Sequence, residues 1–176
     1  FEMELEAMRS VKEDFGLDNL QLMVPFCRTP EEGEMVTDLL NQKGIGPDSG
    51  TDLFVMVELP SNVIEADRFI EMMGLSGGSI GSNDLVQTVY AVSRDDLEGY
   101  QNPIDARSPS VKSMIRQIVE KFNSRGLEIG ICGQAPSDFP DEFPPFLIDC
   151  GITSISVTPD TAVAVRATVA DAERKS

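Results

Sequence analysis

Short apolar runs alternate with stretches of helical periodicity along the whole sequence, and this alternation constrains the fold more than any other feature. Each apolar run is followed by a turn or capping residue and then by an amphipathic stretch. The predicted strands are residues 20–26, 53–57, 79–81, 127–131 and 155–157. Strands that alternate with helices run parallel, with the helices outside the sheet. The fold class is therefore predicted to be α/β.

The intervening segments carry recognisable signals for the ends of helices. Thr29 followed by Pro30 is typical of a helix start, and Gly16 and Gly151 are typical of helix ends. The predicted helices are residues 1–15, 30–42, 61–73, 83–92, 110–123 and 145–150, with a last helix from Pro159. Residues 93–109 form the longest predicted loop, and long loops in compact domains are often functional.

The length leaves two architectures open. The chain has 176 residues and is predicted to be a single domain over 1–176. A complete (β/α)₈ barrel takes about 250 residues. Five βα units therefore form either an open five-stranded sheet or the C-terminal part of a barrel whose first strands are missing. The first residue is Phe1 and not Met, which suggests a piece of a longer protein.

The composition disfavours several kinds of partner. The formal net charge is -16, which makes nucleic acid and anionic membranes poor partners. No apolar run approaches the roughly 20 residues of a membrane span, and no signal peptide is recognisable. The three widely spaced cysteines form no disulfide framework, so a cytoplasmic protein is predicted. The acidic surface fits either adaptation to high salt or a domain with less acidic neighbours.

The absence of histidine narrows the chemistry. It excludes Ser-His and Cys-His catalysis within this chain, and metal sites that contain histidine.

Polar side chains follow three successive predicted strands. Glu58 follows the second strand, Asp84 the third and Cys132 the fourth. The ends of parallel strands open onto one face, so these groups are expected to lie together. Two carboxylates favour Mg²⁺ or Mn²⁺, and a thiol can act as an acid or base. The alternatives are a salt bridge for Glu58, a helix N-terminal residue for Asp84 and a buried inert thiol for Cys132.

The segment before Asp84 adds a second feature. Gly81, Ser82 and Asn83 place main-chain amides at a predicted helix start, where a carboxylate or phosphate could bind. The segment lacks the Gly-Lys-Ser/Thr of a Walker loop.

Several of these segments together resemble the C-terminal barrel of phosphoenolpyruvate-utilising enzymes, in order and over nearly the whole chain. They are Met23-Val24-Pro25-Phe26, Glu58-Leu59-Pro60-Ser61-Asn62, Ile80-Gly81-Ser82-Asn83-Asp84-Leu85, Ala91-Val92-Ser93-Arg94-Asp95, Gly130-Ile131-Cys132-Gly133-Gln134-Ala135-Pro136-Ser137-Asp138 and Ser154-Ile155-Ser156-Val157-Thr158-Pro159-Asp160. Within that family, Gln134 and Ser137 resemble the phosphoenolpyruvate synthase branch. Pyruvate phosphate dikinase and enzyme I of the sugar phosphotransferase system usually carry Cys-Gly-Glu in that segment.

The resemblance implies a (β/α)₈ barrel that binds pyruvate or phosphoenolpyruvate with Mg²⁺ or Mn²⁺. Glu58 and Asp84 match the metal ligands of the family. Cys132 matches the acid/base that moves a proton at the methyl or methylene carbon of the substrate.

The resemblance also implies the residues that bind the substrate. Gly81, Ser82 and Asn83 match the loop that holds the substrate carboxylate and oxygens. Arg94 matches an arginine near the phosphoryl group. The arginines that the family places on earlier barrel strands have no counterpart in this sequence.

In this family the reaction passes through a phosphohistidine. Because this chain has no histidine, the carrier and the ATP-binding site are expected on other domains of the same protein, and the chain alone is expected to be inactive. The resemblance allows a homodimer. The alternatives are a dikinase or enzyme I-like phosphotransferase and, in a different class, a barrel kept for binding or dimerisation without catalysis.

Overall fold

A computed structural model describes residues 1–93 and 104–175 of the chain. The helices are α1 (Glu2–Glu13), α2 (Pro30–Gln42), α3 (Pro60–Ile64), α4 (Ala66–Met73), α5 (Ser82–Tyr90), α6 (Pro109–Ser124), α7 (Ala135–Asp138), α8 (Phe143–Cys150) and α9 (Ala162–Glu173), with a short 3₁₀ turn at Pro47–Ser49. The strands are β1 (Gln21–Val24), β2 (Asp52–Val57), β3 (Gly77–Gly81), β4 (Glu128–Cys132) and β5 (Ser154–Ile155).

These strands form one parallel sheet in the order β1-β2-β3-β4-β5. Each strand therefore lies beside the next strand in sequence, and one or more helices connect the two. A doubly wound sheet instead reverses its strand order at a switch point. The sequential order is that of a segment of a (β/α)₈ barrel, and it confirms the predicted parallel α/β architecture.

The two faces of the sheet differ in burial. Leu53, Val55 and Val57 of β2 are buried on the outer face, where the helices pack. Phe54 and Met56 alternate with them and point to the inner face, where they are only partly buried. Most of the hydrophobic core therefore lies between the sheet and its helices. None of the helices in the described ranges combines the length and the apolarity that a membrane crossing requires.

Glycines on the inner face let neighbouring side chains cross the sheet. A Cβ on Gly77 of β3 would clash with the ring of Phe54 on β2. A Cβ on Gly130 of β4 would likewise clash with the hydroxyl of Ser154 on β5. Gly77 and Gly130, which weaken the strand pattern in sequence, are thus explained by close packing across the inner face.

Several helices differ from the prediction, and α7 lies in a segment for which no helix is predicted. The predicted helix over 61–73 is split at Glu65, whose φ of -99° and ψ of 21° depart from helical values, into α3 and α4. The last helix begins at Ala162 and not at Pro159, and Thr158 and Thr161 before it bind Ser137. The main-chain amide of Thr158 and the hydroxyl of Thr161 both donate to the hydroxyl of Ser137, at 2.9 and 3.1 Å.

Candidate functional site

The polar segments singled out in the sequence lie at the carboxyl ends of β2, β3 and β4. In the register of the sheet, Val57 pairs with Ile80 and Gly81 pairs with Cys132. Glu58, which follows Val57, therefore lies at the level of Gly81 and Cys132. The structure brings the three segments together on one edge of the sheet, while the chemical roles assigned to them stay predictions.

Glu58 is a buried carboxylate, with 5% of its surface exposed. Its Oε1 accepts a hydrogen bond from the main-chain amide of Phe26, at 2.7 Å. Its Oε2 lies 3.1 Å from the position that a Cβ on Gly81 would occupy, so glycine leaves room for this carboxylate. Burial raises the pKa of Glu58, the hydrogen bond from Phe26 opposes this effect, and the charge of Asp84 raises the pKa further.

Asp84 lies in the first turn of α5, where the helix dipole favours a negative charge. Its Oδ1 accepts a hydrogen bond of 2.9 Å from the side-chain amide of Gln87. The charge of Asp84 acts on Glu58, whose pKa it raises. The two carboxylates repel each other, and one of them is buried. A divalent cation that takes both as ligands would therefore stabilise them.

The carboxylate pair fits Mg²⁺ or Mn²⁺ in its chemistry, since both ions prefer oxygen ligands. Within the described ranges, no group of three or more His, Cys, Asp and Glu side chains is arranged to hold a metal ion. A cation bound by Glu58 and Asp84 would therefore need further oxygens from water or substrate, as Mg²⁺ commonly does.

The turn between β3 and α5 packs against the turn after β4. The hydroxyl of Ser82 is fully buried and has no hydrogen-bond partner among the described residues. It lies against Gly133, whose φ of 97° belongs to glycine and where a Cβ would clash with this hydroxyl. Oδ1 of Asn83 accepts a hydrogen bond of 3.3 Å from the main-chain amide of Gln134. The two turns thus hold each other in place.

The thiol of Cys132 is half-buried on the inner face of the sheet. Its Sγ lies 3.6 Å from Sδ of Met56 on β2. Burial raises the pKa of the Cys27 and Cys150 thiols. Both are free cysteines, and neither is assigned a role in the site.

Two arginines remain to be placed, Arg94 and Arg28. Arg94, the predicted arginine near the phosphoryl group, lies outside the described residues. Arg28, to which the sequence assigns no role, pairs with Glu32 one turn along α2, with Nε 3.1 Å from Oε2. Arg28 is therefore explained by a local ion pair at the surface.

Three residues to which the sequence analysis assigns no role in the site lie beside it: Phe26, Met56 and Asn62. Met56 could have been found, since it alternates with Phe54 and Glu58 along one face of a strand. Asn62 carries the weaker signal of an Asn after a proline turn. The amide of Phe26 reaches Glu58 across 32 residues of sequence, and no local pattern indicates that contact.

Comparisons with known proteins identify the family of this chain. The family described as "PEP-utilising enzyme, PEP-binding domain" matches residues 1–174. The chain is 43% identical over 176 residues to a phosphoenolpyruvate synthase of Aquifex aeolicus, which covers 99% of this chain and 20% of that protein. It is 42% identical over 175 residues to a phosphoenolpyruvate synthase of Synechocystis sp., with 99% and 21% covered. The chain thus spans about a fifth of the length of the curated relatives it matches.

Solved structures show the same fold at low sequence identity. RipC from Yersinia pestis matches with a TM-score of 0.64 at 11% identity, over 94% of this chain and 70% of that one. An HpcH/Hpal aldolase/citrate lyase family protein from Burkholderia cenocepacia matches with a TM-score of 0.56 at 19% identity, over 89% and 65%. These likenesses confirm the prediction of a partial (β/α)₈ barrel. The match over residues 1–174 and the identity of 43% to a relative show that the chain belongs to the PEP-binding domain family of PEP-utilising enzymes.

Proposed function

We propose that this chain is the part of a phosphoenolpyruvate synthase that binds pyruvate or phosphoenolpyruvate, in an enzyme that forms phosphoenolpyruvate from pyruvate and ATP. The observation that carries the proposal is the convergence of Glu58, the turn before Asp84, and Cys132 at one level of the sheet. The relatives at about 40% identity named phosphoenolpyruvate synthase support this choice over a dikinase or a non-catalytic barrel.

The proposed site divides binding between side chains and main chain. Glu58 and Asp84 would hold Mg²⁺ or Mn²⁺, which when bound polarises the keto oxygen of pyruvate and stabilises the negative charge that develops there. The main-chain amides of the turn from Gly81 to Asn83, at the start of α5, would bind the substrate carboxylate. Arg94 would contribute near the phosphoryl group.

Cys132 would move the carbon-bound proton. As a thiolate it removes a proton from the methyl group of pyruvate, and in the reverse direction the thiol returns that proton to the methylene carbon. The oxygen of the deprotonated pyruvate then takes the phosphoryl group from a phosphohistidine: a phosphorus–oxygen bond forms as the phosphorus–nitrogen bond breaks. The histidine carrier and the ATP site would lie on other domains of the same cytoplasmic protein, so this chain alone would show no turnover.

Paired substitutions in the full-length enzyme test this proposal. Glu58→Gln and Asp84→Asn should each weaken Mn²⁺ binding, measured by electron paramagnetic resonance, and abolish phosphoenolpyruvate formation. Phosphorylation of the carrier histidine by ATP should continue in both variants, because it takes place at another site.

Asp52→Asn is the matched control. Asp52 lies at the exposed amino end of the same strand that Glu58 follows, so this variant should keep wild-type Mn²⁺ affinity and turnover. Wild-type Mn²⁺ affinity in both Glu58→Gln and Asp84→Asn would reduce these carboxylates to structural groups and would contradict the proposed site.

A further inference from the structure

Asn62 is a buried amide, 2% exposed, and its side chain binds main-chain atoms. Its Oδ1 accepts hydrogen bonds from the amides of Glu58, at 3.2 Å, and Leu59, at 3.0 Å. Its Nδ2 donates to the carbonyl oxygen of Cys27, at 2.8 Å. One side chain therefore joins the turn after β2 to the turn after β1, which lies 35 residues earlier in sequence.

These two turns also carry the contact between Phe26 and Glu58. The amide of Phe26 donates to Oε1 of Glu58, and Phe26 has a φ of 56°. A left-handed conformation is unfavourable for a residue with a side chain, so the surrounding contacts must hold it. Asn62 binds the carbonyl of Cys27, the residue next to Phe26, and the amide of Glu58. It therefore fixes both ends of the contact.

The other main-chain anchor of Glu58 acts differently. The hydroxyl of Thr88 on α5 donates to the carbonyl oxygen of Glu58, at 2.8 Å. This bond ties the turn after β2 to α5 and does not reach the turn after β1. Of these two anchors, Asn62 is therefore the one that links the turn of Glu58 to the turn of Phe26.

The geometry points to Asn62 as a positioning residue that holds the Glu58 carboxylate in the orientation needed to share a divalent cation with Asp84. This inference rests on the proposed function of Glu58 as a metal ligand. An asparagine suits the task because its amide presents an acceptor and a donor in opposite directions. Aspartate would keep the acceptor for Glu58 and Leu59 and would lose the donor to Cys27.

The test uses the full-length enzyme without metal and measures hydrogen–deuterium exchange at the Phe26 amide. Asn62→Ala and Asn62→Asp should each lose the protection of this amide, while the amides of buried Ile115 and Ile118 on α6 keep theirs. Asn62→Asp keeps two of the three bonds and nearly the volume of the amide, so it avoids the cavity that Asn62→Ala would leave. In both variants Mn²⁺ affinity should fall by about 10–100-fold, the usual effect of residues that orient metal ligands.

Asn123→Ala is the control, because the Nδ2 of Asn123 also donates to a main-chain carbonyl, that of Gly151, at 2.9 Å. It should keep both Phe26 protection and Mn²⁺ affinity. Wild-type protection of Phe26 in both Asn62 variants would overturn the positioning role. A wild-type enzyme that binds no Mn²⁺ would instead contradict the proposed function, while the exchange of Phe26 would still decide the role of Asn62.

Discussion

Gly133 and Ser82 lie in contact across the ends of β4 and β3, so close that a Cβ on Gly133 would clash with the buried Ser82 hydroxyl. Gly133 also has a φ of 97°, which side chains rarely adopt. The first turn of α5 can therefore lie where it does only because position 133 carries no side chain.

Gly133→Ala is expected to lower the free energy of unfolding by about 2–5 kcal/mol, from backbone strain of about 1–2 kcal/mol plus overpacking of about 1–3 kcal/mol. Gly44→Ala separates the two effects, because Gly44 has a φ of 73° and open space where a Cβ would stand. It should cost about 1–2 kcal/mol, from strain alone. Urea denaturation measures both values, and equal losses in the two variants would show that the contact with Ser82 has no energetic consequence.

A second prediction concerns the buried carboxylate of Glu58. Burial raises its pKa above the value of about 4.3 that holds in the unfolded chain. The folded state then binds the proton more tightly, so stability is greatest below the unfolded pKa and is lost as the pH rises through the folded pKa. Glu58→Gln should therefore raise the melting temperature of the metal-free protein at about pH 7, and the gain should shrink as the pH falls toward about 4.3.

Asp52→Asn removes the same charge at an exposed position on the other end of β2, so it should not stabilise the protein in this way. Added Mn²⁺ should then raise the melting temperature of the wild type more than that of Glu58→Gln. A lower melting temperature in Glu58→Gln at neutral pH without metal would contradict this account of Glu58.

The net charge of -16 gives a third prediction. Repulsion among like charges destabilises the folded state. Salt screens this repulsion, because the Debye length falls to about 3 Å at 1 M. The melting temperature should therefore rise from dilute buffer to molar KCl. The triple variant Glu34→Gln, Asp38→Asn, Glu120→Gln, in which three exposed carboxylates are neutralised, should show a smaller rise. A melting temperature that does not respond to KCl would favour the simpler reading of an acidic domain with less acidic neighbours.

The order of elements could be predicted because it rests on local signals. Thr29 illustrates this: its hydroxyl accepts from the amide of Glu32, at 3.2 Å, and α2 begins at Pro30 as the sequence indicates. The level of Glu58 with Cys132 also follows from where the apolar runs end, since parallel strands share one edge.

The rest of the site depends on contacts between residues far apart in sequence. The side chain of Asn62 donates to the carbonyl oxygen of Cys27, 35 residues earlier in sequence. The left-handed Phe26 has no signal of its own, because a bulky residue rarely adopts that conformation. Tertiary contacts determine both features, and the sequence alone does not indicate them.

The measurement that tests the central claim most directly is the exchange of solvent deuterium into the methyl group of pyruvate by the full-length enzyme. Cys132→Ala should abolish this exchange and phosphoenolpyruvate formation, while ATP still phosphorylates the carrier histidine. Cys150→Ala, which removes another half-buried thiol at the end of α8, should exchange the methyl protons at the wild-type rate. If Cys132→Ala also exchanged them at the wild-type rate, the thiol at the end of β4 would not be the acid/base of this site.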